Sequence, residues 1–114
     1  MSVTEVFAGV RVRDREAAIE FYERLLGAPP TMLPNEDEAA WQLTDSGWLY
    51  VVCDAGKAGS GLVTLLVDDL DEQLAALAQR GVETGPVEEK AGGAVRSIWV
   101  VDPDGNRIQL GQPG

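Results

Sequence analysis

The stretch Val12-Arg13-Asp14-Arg15-Glu16-Ala17-Ala18-Ile19-Glu20-Phe21-Tyr22-Glu23-Arg24-Leu25-Leu26-Gly27 has a near copy in Val67-Asp68-Asp69-Leu70-Asp71-Glu72-Gln73-Leu74-Ala75-Ala76-Leu77-Ala78-Gln79-Arg80-Gly81. In each, an aspartate suited to an N-cap precedes apolar residues at helical spacing, and a glycine suited to a left-handed stop follows them. Asp14 and Asp69 are 55 positions apart (69 − 14), which marks the chain as a tandem duplication. The first helix is expected over 15–26, with Ala18, Ile19, Tyr22, Leu25 and Leu26 buried. The second is expected through Arg80, with Leu70, Leu74 and Leu77 inward. Pro29-Pro30 prevents continuation of the first.

Working outward, Glu5 to Val12 alternates apolar and polar residues and is read as a strand. Strands are expected at 31–33, 39–44 and 48–53, with turns at 35–38 and 45–47. The second half repeats the order, with strands at 62–67, 83–88, 95–101 and 107–110 and a turn at Asp102-Pro103-Asp104-Gly105-Asn106. Each half is therefore β-α-β-β-β, and the fold class is α+β. Two tandem βαβββ modules, about 3–54 and 61–111, are expected in one domain spanning 1–114. Ala55 to Gly61 reads as a short glycine-rich linker. A half of roughly fifty residues buries too little apolar surface to stand alone, so the halves pack together or with those of a second chain, and a homodimer is expected.

The 114 residues are 45% hydrophobic and carry nineteen Asp plus Glu against nine Lys plus Arg, a net charge of −10. Such a field repels nucleic-acid phosphate and anionic lipid, so neither nucleic acid nor membrane is expected as a partner. No apolar run reaches membrane-spanning length and Met1 to Thr4 does not resemble a signal peptide, which suggests a cytoplasmic protein. The lone Cys53 has no disulfide partner, and a chain without histidine has no Ser-His-Asp or Cys-His nucleophile. Asp68-Asp69 and Asp71-Glu72 fit a helix cap and first turn better than acid/base chemistry. The Asp102 to Asn106 segment is read as a turn, since the place of a calcium loop's bidentate glutamate falls at Pro113.

The order of elements, Phe21-Tyr22 before Leu26-Gly27, and the Asp102-Pro103-Asp104-Gly105-Asn106 turn resemble the vicinal oxygen chelate superfamily, over essentially residues 5 to 111. Glyoxalases, extradiol dioxygenases, fosfomycin-resistance transferases and bleomycin-binding proteins belong to it. The resemblance implies that the modules form a curved mixed-sheet cup with the helices outside, with one divalent metal in the cup, held by His, Gln or Glu from the first and last strands of the two modules. Its ligand positions fall on Phe7 and Leu62 in the first strands, and on Val51 and Gln109 in the last. Only Gln109 has an oxygen donor, and one neutral amide cannot supply the three or four donors a catalytic ion needs. Neither metal nor other cofactor is expected, and no catalytic residue is assigned.

Strand parity sets Phe7, Gly9 and Arg11 opposite Val10 and Val12, and Leu62, Thr64 and Leu66 on the matching face of the second half. The expected ligand-binding set is Phe7, Arg11, Trp41, Trp48, Leu62, Thr64, Trp99 and Gln109, with the tryptophan rings stacking on planar or cationic groups. The expected function is metal-free, non-catalytic sequestration of an amphipathic or cationic small molecule in an aromatic cavity, in the manner of bleomycin-resistance proteins. Two alternatives stay open. One is a lyase, isomerase or dioxygenase with a metal site built from unexpected carboxylates; the other is a structural partner whose tryptophans fill the cups.

Overall fold

A computed structural model describes residues 1–114. Two βαβββ modules follow one another. The first comprises β1 (Val6–Val12), α1 (Arg15–Leu26), β2 (Met32–Asn35), β3 (Glu38–Gln42) and β4 (Gly47–Cys53). The second comprises β5 (Leu62–Leu66), α2 (Leu70–Gln79), β6 (Glu88–Lys90), β7 (Val95–Val101) and β8 (Arg107–Pro113). Each module forms a four-stranded mixed sheet, ordered β1-β4-β3-β2 and β5-β8-β7-β6. The first strand pairs parallel with the last, Phe7 opposite Trp48 and Thr64 opposite Gln109, while the other pairings are antiparallel.

The helix ends follow from the sequence. The Asp14 carboxylate accepts from the amides of Glu16 and Ala17, and that of Asp69 from the amide of Glu72, so donors without an intrahelical partner are satisfied. Gly27 adopts φ 78° and donates its amide to the Glu23 carbonyl, ending α1 in a left-handed turn. In the second module α2 stops at Gln79, Arg80 is the cap and Gly81 follows at φ 74°.

Four strand expectations are corrected. The strand expected at 83–88 is a three-residue edge strand at Glu88–Lys90, because Gly85 spends its amide on the Trp99 carbonyl and Pro86 has none to offer. β3 ends at Gln42 rather than Thr44, since the Leu43 and Thr44 amides both turn to the Gly47 carbonyl. β2 is displaced to Met32–Asn35 and pairs irregularly around Pro34. β8 runs on to Pro113, paired with Val95. The expected linker is also more than a connection: Ala55–Lys57 forms a 3-10 turn, and Gly59 and Gly61 press against Asp104 and Asn106 of the β7–β8 turn.

A single core of 17 buried residues draws on both modules. Val10, Val12, Leu49 and Val51 of the first sheet share it with Tyr22 and Leu25 of α1, and Ile98, Val100 and Ile108 of the second with Leu70 and Leu77 of α2. The core lies on the helix side of each sheet, although Ala40 and Ser97 on the opposite faces are buried too. The opposite faces are open, and the molecule measures 42 × 38 × 25 Å. No helix is long and apolar enough to cross a membrane.

Candidate functional site

Alternation along the strands assigns each side chain to the core or to the open face. In the first module Val10 and Val12 are buried while Phe7, Gly9 and Arg11 lie on the open face. The register adds Trp48 beside Phe7, Tyr50 beside Gly9 and Ala40 beside Tyr50. Phe7 and Trp48 stack at 5.2 Å with their planes 16° apart, and Tyr50 meets Phe7 edge-on at 6.3 Å. Gly9 is required for this cluster. A side chain there would begin 2.6 Å from the Tyr50 ring, which lies across the bare strand. Phe7, Tyr50, Met32, Pro34, Ala40 and Glu38 enclose a hollow of about 250 Å³. Its only ionisable side chains are Glu38 and the Tyr50 phenol. Arg11 sits at the other end of the strand, 3.4 Å from Asp54.

The open face of the second module has a different chemistry. Leu62, Thr64 and Gln109 lie together through the β5–β8 register, with Trp99 opposite Gln109. The Thr64 hydroxyl donates to Gln109 Oε1, and Gln109 Nε2 donates to the Ser97 hydroxyl, so both ends of the amide are engaged. Trp99 already carries cations, with the Arg107 guanidinium 4.2 Å from its centroid and Lys90 Nζ 5.5 Å away.

Two expected positions are corrected. Trp41 faces the helices, 2% exposed, with its indole nitrogen donating to the Ala28 carbonyl at 2.9 Å and its ring beside Tyr22; it is a core residue. Val51 is likewise buried in the core. Phe7 pairs with Trp48 and Leu62 with Arg107, so the first strands superpose at an offset of 55 (62 − 7) and the last at 59 (107 − 48). The first-module counterpart of Gln109 is therefore Tyr50 (109 − 59). Sequence reasoning missed Tyr50, although its two-residue spacing from Trp48 carried the signal.

Phe7, Tyr50, Leu62 and Gln109 do not fit a divalent metal. Two are hydrocarbon, one is a phenol and one is an amide with both ends engaged, and no group of three His, Cys, Asp or Glu side chains converges anywhere in the molecule.

Sequence reasoning also missed a buried polar junction that joins the modules. Asp102 accepts from the Tyr22 hydroxyl at 2.8 Å and from Asn106 Nδ2 at 2.8 Å. Asn106, fully buried, donates to the Arg11 carbonyl and accepts from the Gly61 amide. Burial, reinforced by the Asp102 carboxylate, drives the Tyr22 hydroxyl far above the ordinary tyrosine range. The group holds the two sheets in place and lies on the helix side, away from the open faces.

The largest cavity, about 540 Å³, lies between the inner edge strands β1 and β5 and is bordered by Val6, Gly47, Trp48, Thr64 and Leu66. Of the residues expected to bind ligand, Trp48 and Thr64 reach it. The others on the open faces do not.

Residues 29–110 match the model of the Glyoxalase/Bleomycin resistance protein/Dioxygenase superfamily. A glyoxalase/bleomycin resistance protein from Catenulispora acidiphila is 44% identical, with a TM-score of 0.90 over 96% of this chain and 98% of that one. A bleomycin-binding protein solved in complex with bleomycin shares the fold at 23% identity and a TM-score of 0.80, over 96% of this chain and 98% of that one. An oxidase, ChaP-H1, does so at 22% identity and a TM-score of 0.77, over 99% and 98%. No curated protein matches the sequence. With the family model covering most of the chain and a close structural relative covering nearly all of it, the chain belongs to the glyoxalase/bleomycin resistance protein/dioxygenase superfamily.

Proposed function

We propose that this protein is a metal-free, non-catalytic binder of an amphipathic small molecule bearing a cationic group, and that it acts as a homodimer. The observation that carries the reading is the replacement of chelating side chains on the open faces by an aromatic cluster. Phe7, Trp48 and Tyr50 supply flat apolar surface, and Glu38 beside them supplies the negative charge a cation would seek. The hollow lined by Phe7, Tyr50 and Glu38 suits the cationic group. Trp99 is already engaged by Arg107 and Lys90, so the second face favours a planar, neutral or anionic part of the ligand. The bleomycin-binding relative, solved with bleomycin, supports small-molecule binding on this fold.

The dimer reading rests on exposed apolar surface. Phe7, Leu62 and Leu66 are 44%, 65% and 67% exposed, and the surface of 6736 Å² exceeds the roughly 6,100 Å² usual for a chain of this mass. A second copy laid over these faces removes that apolar area from water and roofs the ligand.

Thermal melts test the binding reading. Ligands that bind only the folded state raise the melting temperature, by about 5 °C or more at a hundredfold excess over Kd. Stabilisation is expected from bleomycin or other cationic aromatic compounds, and not from Mn²⁺, Fe²⁺, Ni²⁺ or Zn²⁺. The reverse pattern, with activity lost to a chelator, overturns the proposal in favour of a metalloenzyme.

A further inference from the structure

The two ends of the seam between the modules are built unequally. At one end Gly61 lies against Val10, and Asn106 reaches across to the Arg11 carbonyl and the Gly61 amide. At the other, Val6 faces Leu65 and Leu66 across open space, so β1 and β5 run in opposite senses. Exchanging the modules by the offsets of 55 and 59 maps Arg11 onto Leu66 (11 + 55), Gly61 onto Val6 (61 − 55) and Asn106 onto Gly47 (106 − 59). All three mapped residues border the cavity. The space is thus the place where a second copy of the Asn106 bridge would stand, had the first module kept a side chain at Gly47. The amide of Val6 is satisfied instead by the Ser46 carbonyl, so the gap leaves no backbone donor stranded there.

We infer that this seam cavity is a second binding site, for an uncharged, largely apolar small molecule, which shares Trp48, Thr64 and Leu66 with the open faces. Its volume of about 540 Å³ lies in the range of drug-sized ligand pockets. None of its lining residues is charged, although charged residues make up 25% of the chain. Leu25 and Leu26 from the end of α1, Leu43 and Leu110 supply hydrocarbon, while Thr44 and Gln73 supply the neutral polar groups. Placing a carboxylate or ammonium there would strip it of water with no counter-charge. Trp48, on the cavity wall, has a buried indole N–H with no acceptor in the protein; a small turn of the ring toward the cavity would let it donate to a carbonyl or ether oxygen of the ligand.

The test uses N-phenyl-1-naphthylamine, an uncharged fluorophore that brightens in apolar sites, with its anionic relative 1-anilinonaphthalene-8-sulfonate for comparison. The neutral probe should saturate at one per chain, and the sulfonate should bind at least tenfold more weakly. Gly47→Asn, which restores the missing bridge, and Leu43→Glu, which sets a charge in the wall on a solvent-exposed residue that the fold tolerates, should each weaken the neutral probe at least tenfold. Val3→Glu, at an exposed apolar residue outside the cavity and the open-face cluster, should leave its affinity within twofold. Three results overturn the assignment: no saturable binding, unchanged affinity in both cavity variants, or loss of the signal as protein concentration drives self-association, which would make a second copy the occupant.

Discussion

Asn106 touches both halves of the molecule with one amide group, and its removal leaves the Gly61 amide and the Arg11 carbonyl without partners at a buried seam. Asn106→Ala should cost about 2 to 3 kcal/mol in urea unfolding. Tyr22→Phe deletes one hydrogen bond to a carboxylate and should cost about 1 to 2 kcal/mol at neutral pH. It also carries a pH signature. The folded protein holds the Tyr22 proton well above the pH of roughly 10 at which the unfolded chain releases it. That contribution is complete below about pH 10 and is lost as the pH climbs beyond, at up to about 1.4 kcal/mol per pH unit. Stability of the wild type should therefore fall more steeply above pH 10 than that of Tyr22→Phe. Gly9→Ala should keep the fold, swing the Tyr50 ring off the strand and weaken a cationic aromatic ligand, as read by titration calorimetry. At this scale the sequence was half legible. Parity correctly placed Phe7, Arg11, Leu62 and Thr64 on exposed faces because it depends only on alternation within a strand. Val51 was misassigned because a count from a turn glycine carries no information on which face a later strand presents, and Trp41 because lying on a strand does not say which side of the sheet its ring takes.

At the scale of elements, Asp14 and Asp69 stood out as caps because the chemistry is local, a carboxylate within two or three residues of the amides it accepts from. The edge strands were poorly legible, since β2 and β6 contain or follow Pro34 and Pro86 and take their limits from the register of their partners. Nor could local composition reveal that Gly59 belongs to the packing of the β7–β8 turn. Gly59 adopts φ 98° and lies against the Asp104 carbonyl oxygen, so Gly59→Ala should lower the melting temperature by more than about 8 °C, combining backbone strain with a backbone clash. Trp41→Ala offers the matching contrast. It should cost about 3 to 5 kcal/mol of stability as a core truncation, whereas Trp48→Ala should cost less and reduce ligand binding.

The whole molecule has one core drawn from two modules, which predicts a single cooperative transition by calorimetry and no stable fold for residues 1–57 or 58–114 expressed alone. Sedimentation at micromolar concentration should return a species of twice the chain mass, and Phe7→Glu should shift it to the monomer. The duplication was legible because both copies kept the cap, the apolar stripe and the stop. The inequality of the seam was not, because it depends on Gly47 and Asn106 being equivalent, and only the paired registers of β1 with β4 and β5 with β8 establish that. Those same parallel pairings reach beyond architecture. Phe7 meets a residue 41 positions away (48 − 7) and Thr64 one 45 away (109 − 64), so neither sheet can close until a long segment of chain has been gathered in. Refolding should accordingly occupy the millisecond-to-second range rather than microseconds, leaving a newly made chain with its aromatic strands exposed for a comparatively long time before they find their neighbours.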